Sequence, residues 1–70
     1  MKYAIVLEKG PTSWGAYVPD LPGCVAVGES RKEVLGLIRE AIDLHLENLK
    51  ESGEKVPTPH SETAYIEVAV

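Results

Sequence analysis

Chemistry in this chain would have to come from its carboxylates, from His45 and His60, or from the single cysteine, Cys24. Clustered carboxylates can hold two metal ions ~3.5–4 Å apart and cleave a phosphodiester. Here Glu8 ends the first apolar run, Glu67 lies in the last one, and Glu40 and Asp43 fall on the polar arc of a helical pattern. None sits midway along the first run, where such a centre would form, so they read as solvated charge. Two histidines cannot complete a four-ligand zinc site without carboxylate help. His45, inside an apolar arc, reads as a packing residue or as part of a subunit contact, and His60 as a solvated connector residue. Cys24 reads as a small buried apolar residue, because a reactive thiolate needs a basic neighbour that the sequence does not supply. No catalytic residue, metal or cofactor is expected.

Binding is better represented than catalysis. With one helix available, one face of the sheet stays uncovered, and Tyr17 and Tyr65 are expected to share it. Trp14 is a further aromatic in a segment with strand character, and aromatics on an open surface are commonly contact residues. Asp20 stands between two prolines, where its carboxylate either caps the turn or meets a partner. These four are the candidate partner-binding residues.

The elements that position them follow from spacing. Tyr3 to Glu8 is β-branched and apolar, and Lys9-Gly10-Pro11-Thr12-Ser13 reverses the chain. Trp14 to Val18 is a second strand with Trp14, Ala16 and Val18 on one face and Gly15 and Tyr17 on the other. Pro19 and Pro22 lack amide donors and end the ladder. Pro22-Gly23 suits the centre of a type II turn, and Cys24 to Val27 is a third strand closed by Gly28. Ser30-Arg31-Lys32-Glu33 is a capping box. A helix follows, complemented at its end by Lys50 and terminated near Gly53. Glu54 to Thr63, with Pro57 and Pro59, is an extended connector, and Ala64 to Val70 alternates as a last strand. The expected fold is α+β with order β-β-β-α-β. A right-handed crossover would place the last strand parallel to the first, in spatial order 3-2-1-4. That order is the opening half of a ribonuclease H-like fold.

Seventy residues, read as one domain over 1–70, make a marginal core that no internal disulfide can staple. Self-association is the remaining remedy. The helix supplies surface for it, because its apolar residues span roughly 200° where a stripe somewhat over 100° suffices. Leu37 and Leu44 on one flank, or Leu35 and Leu46 on the other, are surplus. They either cover the connector around Val56 or form a subunit interface, with Leu37, Leu44, His45 and Leu46 as the interface candidates and a dimer or tetramer as the result. At ~1.5 Å rise per residue the helix also outruns strands of ~17–20 Å, so its second half should overhang the sheet.

Seven basic against eleven acidic side chains give a net charge of −4. Direct binding to nucleic acid relies on Lys and Arg, so the balance argues against it and permits a basic protein partner. The amino-terminal residues lack the pattern of a signal peptide, and no apolar run approaches the ~20 residues of a membrane span. A cytoplasmic protein is expected.

With these pieces placed, the chain resembles the HicB-like antitoxins of the HicAB toxin–antitoxin family. The resemblance rests on Trp14 followed by Ala16, on Val18-Pro19-Asp20-Leu21-Pro22-Gly23-Cys24, and on Gly28-Glu29-Ser30. It extends through Glu40-Ala41-Ile42 and Gly53-Glu54-Lys55-Val56-Pro57-Thr58-Pro59. It implies an inactive, degenerate ribonuclease H-like half-fold that self-associates and binds a HicA toxin, a small basic ribonuclease. An acidic antitoxin could mask the toxin's RNA-binding surface. Many relatives carry a DNA-binding domain after the last strand, whereas this sequence stops at Val70, so promoter binding is not expected. Short members of this kind are often orphans without a demonstrated toxin. The expected function is therefore a non-enzymatic toxin-binding module. The alternative is an orphan self-assembling scaffold or small-ligand module.

Overall fold

The computed structural model describes residues 1–70 and contains three strands followed by one helix. Strands β1 (Val6–Lys9), β2 (Trp14–Tyr17) and β3 (Val25–Gly28) form an antiparallel meander in the order β1-β2-β3. The register pairs Val6 with Tyr17 and Glu8 with Gly15, then Tyr17 with Val25 and Gly15 with Val27. The reversal between β1 and β2 is closed by Gly10 N–H donating to the Ser13 carbonyl.

Helix α1 (Arg31–Glu51) starts and stops as its terminal residues dictate. The Ser30 hydroxyl accepts from the Glu33 N–H at 3.0 Å. The Glu33 carboxylate reaches back to the Glu29 N–H, one residue upstream of the position in an ideal capping box. At the other end Gly53 takes φ 73. The Glu54 N–H bonds the Leu49 carbonyl and the Gly53 N–H bonds the Lys50 carbonyl, which is a Schellman motif.

The core is small: Ala16, Val18, Leu21, Cys24, Val34 and Ile38, with Leu21, Val34 and Ile38 fully buried. Half of it comes from the corner between β2 and β3. Two turns follow each other there, Leu21 N–H to the Val18 carbonyl and Cys24 N–H to the Leu21 carbonyl. Gly23 takes the φ of 83 that the second turn requires. The Val18 N–H, bonded to the Cys24 carbonyl, clamps the loop at its base. Val18, Leu21 and Cys24 are thereby turned under the sheet, towards Val34 and Ile38 of the helix. Gly28 allows the close approach of β3 to the helix, since a Cβ there would lie 2.9 Å from the Val34 nitrogen.

The helix packs over β3 and β2, while no Cα of β1 comes within 8 Å of one in the helix. The expected fourth strand does not form. Residues 54–70 contain no helix or strand, and residues 62–70 are exposed throughout. The order 3-2-1-4 is thus corrected to a three-stranded sheet with a trailing arm. The physical reason is that the connector is pinned at His60 and Ser61 beside the turn. Beyond that point the arm makes no ladder bond that could hold it to its own sheet. The arm stretches the molecule to 48 × 26 × 16 Å, with a radius of gyration of 13.8 Å. A compact chain of this length has about 11 Å.

Leu21→Ala is expected to cost ~2–5 kcal/mol. A domain this size holds roughly 4–10 kcal/mol in total. Thermal and urea melts followed by circular dichroism should show a broad or lost transition for Leu21→Ala. Val25→Ala, at a position 63% exposed, should stay within about 0.5 kcal/mol of the parent. Equal effects at the two positions would contradict this account of the core.

Candidate functional site: an anchored turn and an open sheet face

The turn between β2 and β3 carries the most specific polar arrangement in the molecule. Asp20 is only 5% exposed. Its Oδ2 accepts from the backbone N–H of His60 and of Ser61, both at 2.9 Å. Its Oδ1 accepts from the Ser61 hydroxyl at 2.6 Å and lies 3.2 Å from His60 Nε2. A further tie runs from the Tyr3 hydroxyl, which donates to the Pro57 carbonyl. The carboxylate therefore anchors a connector some forty residues away in sequence. His60, expected to be solvated, keeps an exposed side chain but spends one ring nitrogen on this contact.

These bonds hold the Asp20 carboxyl down at about 2, against an ordinary 3.8. The Ser61 hydroxyl bond contributes most, then the Ser61 N–H; burial opposes them, while the His60 N–H and the nearby imidazole add to the lowering. Asp, His and Ser together suggest a hydrolytic triad, but the connectivity is wrong. The Ser61 hydroxyl donates to the carboxylate rather than to the imidazole, so no nucleophile–base pair is formed. Cys24 is buried, and burial pushes its thiol pKa up, away from thiolate reactivity. No three His, Cys, Asp or Glu side chains converge as a metal-holding group.

The partner-binding candidates do not converge. Trp14 is half-buried against the core on the helix side, with Lys9 Nζ 5.9 Å from its ring centroid. Tyr17 lies on the opposite face, 40% exposed. Asp20 is turned inward, and Tyr65 stands fully exposed on the arm, sharing no ladder with Tyr17. Around Tyr17 the register assembles the uncovered sheet face that was expected, with aliphatic neighbours that were not. Val6 and Val25 flank it on the neighbouring strands, and Val27 follows Val25 on the same side. Val25 is 63% and Val27 66% exposed. The signal was present in the alternation Cys24-Val25-Ala26-Val27, which sends Cys24 and Ala26 inward and both valines outward.

Among the interface candidates, Leu37 and Leu44 are exposed and His45 is half-buried. Leu46 is half-buried against the core and borders a cleft with Ile5, Leu35 and Ile42. No helix is long and apolar enough to cross a membrane.

If Asp20 anchors the connector, the contribution to stability has a fixed pH sense. The folded carboxyl binds its proton less readily than the unfolded one, so the contribution is complete above pH 3.8 and is lost as pH falls through about 2. Asp20→Asn should melt lower than the parent at pH 7, and the difference should shrink between pH 4 and 2. A difference between the two that is independent of pH would contradict the assignment.

The sequence also matches known proteins. Residues 3–68 match the family described as the HicB-like antitoxin of bacterial toxin–antitoxin systems. A UPF0150 protein of Thermoplasma acidophilum is 40% identical over 63 residues, covering 89% of this chain and 91% of its own length. A UPF0150 protein of Synechocystis is 34% identical over 97% of this chain and 94% of its own. Antitoxin HicB 2 of Photorhabdus laumondii is 29% identical over 97% of this chain, which spans only 50% of that protein. No solved structure matches the chain. From the corner that packs the core to the capped helix behind it, this chain belongs to the HicB-like antitoxin family.

Proposed function

We propose that the chain is a non-enzymatic, cytoplasmic antitoxin module that binds and neutralises a small basic HicA-type mRNA-cleaving toxin. The observation that carries the reading is the open sheet face, where Val6, Tyr17, Val25 and Val27 form a contiguous apolar row with no helix over it. Such a face on an acidic domain suits a basic partner: apolar contacts supply affinity, and the charge of −4 supplies steering. Tyr17 is the centre of this contact and Asp20 serves by holding the turn in place, while Trp14, on the helix side, and Tyr65, on the arm, lie outside it. The kinship with ribonuclease H-like folds belongs to the same proposal.

Self-association is part of the reading, because Leu37 and Leu44 remain exposed, at 38% and 59%, on a helix with a core of six residues beneath it. Those same exposed leucines favour the second reading, an orphan self-assembling scaffold or small-ligand module. The two readings separate on a toxin.

Co-expression with a small basic protein encoded beside this chain should give a stable complex that silences RNA cleavage. Tyr17→Ala combined with Val27→Asp should weaken the complex at least tenfold, as loss of a contact centre does. Failure to bind any adjacent basic product, with the parent folded and assembled, would leave the orphan scaffold standing.

A further inference from the structure

The arm and the uncovered edge of the sheet fit each other. Ala64–Val70 alternates Ile66, Val68 and Val70 with Tyr65, Glu67 and Ala69, and its apolar side chains stand in water: Ile66 is 85% and Val68 70% exposed. A segment of this pattern is a half-buried strand without a sheet. On the body, β1 pairs only with β2, so its outer edge presents unpaired N–H and C=O groups. An open edge of this kind is a template for an added strand. The helix stays clear of β1, and just upstream of that strand a cleft of ≈ 540 Å³ opens between Tyr3 and Ile5 and the helix residues Leu35, Ile42 and Leu46, with Arg39 and Asp43 at its rim. A strand laid on β1 and continued along Tyr3–Ile5 would drop alternate side chains into that cleft.

The geometry points to reciprocal arm exchange: Ala64–Val70 of one copy adds to the outer edge of β1 in a second copy, and the second copy's arm returns the contact. The occupant is a second copy because each copy carries one arm and one vacant edge. The arm also leaves its own cleft empty and projects from the body. A two-fold dimer closes the arrangement and leaves neither edge free. Ile66, Val68 and Val70 enter the partner's cleft. Tyr65 and Glu67 come to the open face, extending the row around Tyr17 into the neighbouring protomer. This deepens the self-association proposed above and rests on it, and its test needs no toxin.

The test uses the full chain. Light scattering of the parent should report two copies, and Ile66→Lys combined with Val68→Lys should report one, with helical circular dichroism kept because neither side chain supports the monomer's core. To locate the arm, a Cys24→Ala, Tyr65→Cys chain carrying a nitroxide is mixed with a ¹⁵N-labelled parent chain. Broadening of the Ile5, Val6 and Leu7 amides is expected across the mixture. If the double lysine variant stays dimeric, self-association runs through the helix leucines and arm exchange is wrong. If the parent is a monomer, both ideas fall. If broadening appears only when label and isotope share a chain, the arm pairs with its own β1 and exchange is overturned.

Discussion

The contact on which most of the molecule's layout depends is the one between the Asp20 carboxylate and the backbone of His60 and Ser61. A buried carboxylate is costly unless its lone pairs are used, and here two N–H groups, a hydroxyl and an imidazole use them. The result is that a turn early in the chain dictates where a late segment runs. Asp20 can do this because its neighbours are immobile. Pro19 and Pro22 restrict the backbone, the two successive turns are closed by their own hydrogen bonds, and Leu21 is fully buried in the same core as Val34 and Ile38. The segment Val18-Pro19-Asp20-Leu21-Pro22-Gly23-Cys24, so specific in sequence, is thus a structural joint: it packs the core below and anchors the connector above.

That joint leaves the exposed apolar surfaces elsewhere. The sheet has one helix and therefore one covered face, which leaves Tyr17, Val25 and Val27 in the open. β1 pairs only with β2, which leaves its outer edge bare, and the helix sits over β2 and β3, which leaves a cleft beside the residues just upstream of β1. An acidic domain with an apolar open face suits an antitoxin that competes for a basic toxin. A bare edge beside a loose arm suits a protein that completes its sheet by association. Both surfaces follow from placing a single amphipathic helix off-centre on a three-stranded meander.

What could be read in the sequence was what is decided locally. The capping box at Ser30 and Glu33, the glycine stop at Gly53, the Pro22-Gly23 turn and the two-residue alternation of β2 each involve residues within a few positions of one another. The glycine stop, the turn and the alternation appear as read, and so does the Ser30 cap, while Glu33 reaches back to the Glu29 N–H instead of that of Ser30. The misses are non-local. Ala64–Val70 has the alternation of a strand, but alternation says nothing about which edge will accept it, so the fourth strand of the expected fold has no partner within the chain. Asp20 was legible as a capping residue, yet the groups it caps lie forty and forty-one residues away, beyond what spacing reveals. The open face around Tyr17 was expected, but its aliphatic lining was missed for a related reason. Val25 and Val27 became contact candidates only once the register set them beside Tyr17.

The most direct test of this account is amide hydrogen exchange at His60 and Ser61. If Asp20 is the joint between the two halves of the chain, both amides are protected in the parent. In Asp20→Asn they should exchange at open-chain rates, while Val34 and Ile38 in the helix stay protected. Open-chain exchange at His60 and Ser61 in the parent, or protection that survives the substitution, would contradict it.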